Sequence, residues 1–332
     1  MSPGRAALGG VSVGGGLPVV AVGVVNLSPE SFHAGSVYTR DDDLLGAALG
    51  MVEAGAALID VGARSTAPYL DDAALDEAEE RDRLVRAVEL LARKLPVPIS
   101  ADTARLAPAR AALEAGARVI NDVSGLRDPA VAALVAKHHA SVILMASPDR
   151  GGPGGPGAGS SRPVPSASNA EVTALRWSPA ATGQADAARV VERLRPGPPG
   201  PPVDPVGHVM GLLRAALGRA RAAGIPEERI VVDPGIGFFR DEGIPWHEWD
   251  ARVLAGLGGL NELGRPVCVG VSRKSFIGAI TGRQRPAERL AGSLAATAIA
   301  VRNGAAVIRT HDPAETLDAI RVAERLGRAG AP

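Results

Sequence analysis

The chain has little to oxidise, little to stack and no surplus of charge. Its 332 residues hold a single cysteine, Cys268, which excludes an internal disulfide framework and suits a reducing cytoplasm. Aromatic residues make up 3%, so stacking platforms for nucleic-acid bases are scarce. The 36 Lys and Arg balance 36 Asp and Glu, without the basic excess that a nucleic-acid partner requires. No window reaches the roughly 18 uninterrupted apolar residues of a membrane helix. The opening MSPGRAALGGVSVGGG is too broken by glycine for a signal-peptide core. A cytoplasmic protein with neither a membrane nor a nucleic-acid partner is expected.

What is present is a repeating unit. Short β-branched runs at 18–25, 57–61, 97–102, 118–122, 140–145, 229–233, 266–271 and 305–309 alternate with segments of helical pattern. Those helical segments lie near 42–54, 75–95, 107–115, 129–137, 206–223, 246–263, 286–303 and 313–326. Continuous apolar runs suit strands buried on both faces of a parallel sheet. Eight strand–helix units predict an α/β fold, a (β/α)8 TIM barrel over 18–328, with an open doubly wound sheet as the alternative.

Two stretches break this rhythm. Residues 1–17 read as a flexible N-terminus. Much of the excess in 41 Gly and 27 Pro falls within 150–205, whose composition predicts a long disordered insertion after strand 5. The run 71–86 mixes both charge signs and reads as a solvated helix face.

A barrel builds its site from strand C-termini. Here those ends carry Asn26, Asp60, Asp102, Asn121 with Asp122, Met145, Asp233, Ser272-Arg273-Lys274, and Arg309 with His311. Asp102, Asn121 and Asp233 form an acceptor-rich set suited to a flat heterocycle with amino and ring N–H donors. Arg273, Lys274, Arg309 and His311 offer the positive charge a phosphate or pyrophosphate needs. Asn26 is the candidate metal ligand, since magnesium keeps several waters and uses few protein ligands. The turn Asp233-Pro234-Gly235-Ile236-Gly237-Phe238 lets backbone approach a ligand closely.

These residues carry a resemblance. Val25-Asn26-Leu27-Ser28-Pro29-Glu30-Ser31-Phe32 resembles the first-loop signature of dihydropteroate synthases. Ser100-Ala101-Asp102-Thr103, Ile120-Asn121-Asp122-Val123-Ser124-Gly125, the 233–238 turn, Gly270-Val271-Ser272-Arg273-Lys274-Ser275 and Arg309-Thr310-His311-Asp312 match further motifs in family order. The resemblance implies a magnesium-dependent, dimeric pterin-binding barrel of folate biosynthesis. Such an enzyme joins 6-hydroxymethyl-7,8-dihydropterin diphosphate to an aminobenzoate nitrogen and releases pyrophosphate. It implies catalytic roles for Asp102, Lys274 and Arg309. Substrate binding falls to Asn121, Asp233, Met145, Phe238, Ser275, His311 and Thr66, and the metal to Asn26.

The departures cluster in the loops that receive the second substrate. Ser65-Thr66-Ala67-Pro68-Tyr69 lacks the family's usual Arg, Arg64 replaces a common acid, and Arg240 stands where Lys is usual. That second loop is similar to archaeal-type members, whose arylamine belongs to methanopterin biosynthesis. The alternatives are a non-catalytic pterin-binding paralogue and a pterin-dependent methyltransferase.

Overall fold

The computed structural model describes residues 4–27, 38, 40–64, 76–147, 203–240 and 242–329. Two short antiparallel strands come first, β1 (Arg5–Leu8) and β2 (Val11–Gly14). Eight parallel strands then close into a barrel: β3 (Val20–Asn26), β4 (Leu58–Gly62), β5 (Ile99–Asp102), β6 (Val119–Asp122), β7 (Ser141–Met145), β8 (Ile230–Asp233), β9 (Val267–Gly270) and β10 (Ala305–Thr310). Each pairs with its neighbour in sequence, and β10 returns to β3.

The connecting helices are α1 (Asp41–Glu53), α2 (Glu77–Lys94), α3 (Leu106–Ala115), α4 (Pro129–Lys137) and α5 (Pro205–Ala222). After these come α6 (Trp246–Ala255), α7 (Ser275–Thr281), α8 (Leu290–Arg302) and α9 (Pro313–Ala329). The barrel expected from the alternating pattern is therefore the fold. Continuous burial along β4, β6, β7, β8 and β9 is why their sequences are mostly apolar, with Asp60 and the polar strand ends as the exceptions. No helix among the described residues is long and apolar enough to cross a membrane.

The N-terminal segment corrects its expectation. Rather than a flexible lead, residues 5–14 form a hairpin that plugs the barrel floor. Ala6, Leu8 and Val13 are buried against Val22, Leu58, Val119, Ile143, Val231, Cys268 and Val307. Ser141 Oγ donates to Ala7 O at 2.7 Å and accepts from Gly9 N–H at 3.0 Å. The turn is Gly9-Gly10, with φ of 60° and 97°, and a two-residue turn with both φ positive matches the twist of the strands it joins. The signal was local: Gly-Gly between Ala-Ala-Leu and Val-Ser-Val.

Other boundaries shift for identifiable reasons. The helix expected over 246–263 stops at Gly256, and a 3₁₀ turn covers Leu257–Leu263, where Gly256, Gly258 and Gly259 weaken α-helical continuation. The stretch assigned to the insertion lies outside the described residues as far as 202. Its last residues, Asp204 and Pro205, begin α5, with Asp204 Oδ1 accepting from Gly207 N–H at 2.9 Å. That is an N-cap followed by proline in the first turn.

Candidate active site

Strand register brings the polar ends to one level. Gly62 pairs with both Asn26 and Asp102, Asp102 with Asn121, Met145 with Asp233, and Gly270 with Arg309. Alternation along β6 separates Asn121 from its neighbour. Asp122 turns away, accepting from Ser124 N–H at 2.6 Å and Leu126 N–H at 3.2 Å to shape the loop behind it.

At the mouth, Arg309 Nη2 donates to Asp60 Oδ2 and, at 2.9 Å, to Asp102 Oδ2. Asn121 Nδ2 donates to the same Asp60 oxygen at 3.4 Å. The remaining oxygens, Asp60 Oδ1 and Asp102 Oδ1, are buried without a hydrogen-bond partner. Two orphaned acidic acceptors in a desolvated cleft are costly unless a ligand with N–H donors fills the place. Burial pushes the Asp102 carboxyl up to about 7, opposed by Arg309 and reinforced by Asp60. Desolvation works against charge on Arg309, but the carboxylates of Asp60 and Asp102 outweigh it and raise its pKa.

Across the mouth, Asp233 Oδ1 accepts from Gly235 N–H at 2.7 Å. Burial raises the Asp233 carboxyl, and Lys274 pulls it back. Lys274 Nζ donates to Ile236 O and stands 5.2 Å from the centre of the Phe238 ring. Burial lowers its pKa, with Asp233 and Asp250 opposing. Gly235 has φ of 72°, and a Cβ there would stand 2.4 Å from Ala146 O. Only glycine lets the turn pass so close to β7.

Asp250, on α6, fastens this turn from behind, accepting from Gly237 N–H at 2.8 Å. Burial pushes its carboxyl up to about 6. Arg240 Nη2 donates to Gly237 O at 3.1 Å and to Ser275 Oγ at 3.3 Å, with its guanidinium carbon 4.3 Å above the Trp246 ring. His311 Nδ1 lies 3.0 Å from Ser272 Oγ, and its Nε2 3.4 Å from Asn26 Nδ2.

A profile of the pterin binding enzyme family matches residues 22–311. The chain belongs to that family. A dihydropteroate synthase of Synechocystis sp. is 32% identical over 308 residues, 92% of this chain and 90% of the relative. The dihydropteroate synthase of Xanthomonas albilineans, solved with 4-aminobenzoic acid, superposes with TM-score 0.74 at 32% identity and covers 100% of both chains. The same enzyme with 7,8-dihydropteroate gives TM-score 0.71 at 30% identity, covering 99% of this chain and 100% of that one. This pterin binding enzyme is accordingly a dihydropteroate synthase-like transferase of folate biosynthesis.

Of the residues singled out in the sequence, Asn26, Asp102, Asn121, Met145, Asp233, Phe238, Lys274, Ser275, Arg309 and His311 all come from strand ends at this mouth or the turns that leave them. Thr66 lies outside the described residues. Arg273 corrects its expectation. Its guanidinium is bound to Asp312 at 2.9 and 2.6 Å and to the carbonyls of Pro286 and Ala287 at 3.2 and 3.0 Å. Its charge is consumed in joining loops and is not presented at the mouth.

Two contributors escaped the sequence reading. Asp60 was visible only as a polar strand end without a role, although an acid inside Leu-Ile-Asp-Val-Gly is a signal in itself. Asp250 sits in a helix of mixed polarity and carried no local signal.

The donor set has a bearing on magnesium. No group of three or more acidic, His or Cys side chains among the described residues is placed to cage a metal ion. Asn26 brings one amide to the mouth beside His311, while Asp60 and Asp102 are engaged by Arg309. Such a set fits a magnesium ion held mainly by water and substrate phosphate oxygens, with one protein ligand.

Proposed function

We propose that this enzyme condenses 6-hydroxymethyl-7,8-dihydropterin diphosphate with p-aminobenzoate or a related arylamine and releases pyrophosphate. The observation that carries the reading is the pair of buried, unpartnered oxygens of Asp60 and Asp102, bound on their other oxygens by Arg309, at the strand ends that also bear Lys274 and His311. Carboxylates accept the amino and ring N–H donors of a pterin and fix its plane. The relatives' structures with 4-aminobenzoic acid and 7,8-dihydropteroate support the same pair of substrates.

In the proposed reaction the carbon–oxygen bond to the diphosphate breaks first, and its electron pair leaves with pyrophosphate. The arylamine nitrogen then donates its lone pair to the pterin methylene, and a proton is lost from that nitrogen to water. Asp102, with Asn121 and Asp233, holds the ring and favours the positive charge that develops on it. Lys274, Arg309 and His311 favour the departing negative charge. Met145 and Phe238 border the ring, and Ser275 and Thr66 meet the second substrate. When bound, magnesium held through Asn26 supplies charge neutralisation on the leaving group. No nucleophilic side chain is required.

Three further features belong to the same reading. Residues 18–328 act as one catalytic barrel, and the lone buried thiol of Cys268 suits the cytoplasm. The exposed Ile280, Ile299, Val322 and Leu326 on α7, α8 and α9 support a homodimer through these helices. The second-loop departures Ala67 and Tyr69 favour a second reading, in which the arylamine is that of methanopterin biosynthesis.

Purified protein incubated with the pterin diphosphate and each arylamine, with and without magnesium, tests the proposal through pyrophosphate release. Release with p-aminobenzoate supports the first reading and release only with a ribosylated aminobenzene phosphate the second. Pterin binding without release from any arylamine overturns both.

A further inference from the structure

A polar cluster lies behind Asp102, outside the mouth. Its centre is Glu80 of α2, 2% exposed although it falls in the stretch expected to be a solvated face. Glu80 Oε1 accepts from Thr103 Oγ1 at 2.6 Å, and Oε2 accepts from Arg105 Nη1 at 3.1 Å. Arg64 Nε stands 3.9 Å from the same Oε2. Thr103 is itself 2% exposed. Its hydroxyl also accepts Arg105 N–H at 3.2 Å, and its own N–H donates to Asn121 O at 3.2 Å.

The chain positions make this cluster consequential. Thr103 directly follows Asp102, and Arg64 lies just beyond the end of β4. One carboxylate therefore joins two segments that leave adjacent strands. A leucine or methionine would fill the same position without desolvating a charge, so packing alone does not account for an acid there. Charge-assisted hydrogen bonds are short and directional. The single hydroxyl proton of Thr103, given to Glu80, sets the rotamer of that side chain.

We infer that Glu80 is a positioning residue for the site. Through Thr103 it holds the end of β5 so that Asp102 meets Arg309 and the pterin together, while Arg105 and Arg64 meet its other oxygen. The inference rests on the pterin-binding reading above. It predicts that pterin binding follows the Glu80–Thr103 hydrogen bond and not the charge of Glu80. Thr103→Val removes the hydroxyl that Glu80 holds. Glu80→Gln keeps an acceptor oxygen for Thr103 and removes the charge that Arg105 and Arg64 meet, whereas Glu80→Leu removes the acceptor.

The test is a fluorescence titration with 6-hydroxymethylpterin, combined with steady-state kinetics and thermal unfolding. Misplacement of a site group by about 1 Å costs up to ~10²-fold, and T103V is expected to weaken pterin binding about tenfold, within that limit. T103S restores it. E80Q leaves pterin binding near wild type, whereas E80L weakens it as T103V does. Wild-type pterin affinity in T103V or in E80L overturns the inference, as does an E80Q whose affinity and unfolding midpoint fall together. Should T103V fail to fold, the contrast between E80Q and E80L decides. A wild-type protein that binds no pterin overturns the functional reading itself, whereas pterin binding with unresponsive variants overturns this inference alone.

Discussion

Arg309 on β10 reaches across the barrel mouth to Asp102 on β5, its Nη2 donating to Oδ2 at 2.9 Å, while the second oxygen of Asp102 has no partner. In the proposed reading, one carboxylate divides its two oxygens between a fixed cation and an incoming ligand. Asp102→Asn preserves size but can turn an amide donor toward the pterin's own donors. A fall in kcat/KM of about 10²–10³-fold is expected, in the range seen when one well-placed polar partner is removed. The unfolding midpoint at pH 8 is expected to fall only modestly, because Arg309 keeps Asp60 as its partner and the substitution also removes a desolvated carboxylate. Near-normal turnover in this variant would transfer its role to Asp233.

The same carboxyl couples ligand binding to protons. In the unliganded protein Asp102 is held near pH 7, chiefly by burial, above the value of about 3.9 for a free Asp side chain. The folded state therefore keeps a proton that the unfolded chain has lost. That contribution to stability is present at low pH and disappears as pH rises through about 7. In the proposed complex, pterin N–H donors favour the ionised form, so the sign for binding is opposite. Pterin affinity is expected to weaken as pH falls from 7.5 toward 6, with proton release on binding near pH 7. Calorimetric titrations in buffers of different ionisation enthalpy measure that release directly, and a pH-independent affinity would refute it.

A second relationship stabilises the loops that present Lys274 and His311. Arg273, between Ser272 and Lys274, adopts φ of 55°, a left-handed conformation that costs a non-glycine residue of order 1–3 kcal/mol. The bidentate pair with Asp312 and the N–H donated to Ser293 Oγ at 2.8 Å hold it there. Asp312→Ala is expected to destabilise the protein by ~3 kcal/mol, since the partner left behind is a nearly buried charge. Urea unfolding reads this loss. Activity should fall as well, because the two loops carry site residues.

The floor hairpin offers a contrast in which stability and activity separate. Leu8 is 1% exposed and packs among the first residues of the barrel strands. Leu8→Ala should cost about 2–5 kcal/mol, the usual range for truncating a core leucine. The site lies at the other ends of these strands, so kcat measured well below the unfolding midpoint should stay near wild type. A drop in kcat at 15 °C comparable to that of D102N would show that the plug shapes the mouth.

Periodicity and punctuation along the chain determined the eight strand–helix units and the identity of most groups at the mouth. Strands buried on both faces are largely apolar, so polar residues at their ends, such as Asp102, Asn121 and Asp233, are conspicuous without any structure. The tertiary structure alone decided which charges cancel. Arg273 and Arg309 look alike in sequence. Closure of the barrel gives Arg309 to Asp60 and Asp102 at the mouth, whereas the loop after β10 gives Arg273 to Asp312. Glu80 and Asp250 likewise carry no local mark of burial. Whether an acid on a helix meets water or a buried donor depends on partners 23 residues away for Glu80 and 13 for Asp250. The sign of a residue's charge is local, but the field around it is set by contacts that only the closed barrel creates.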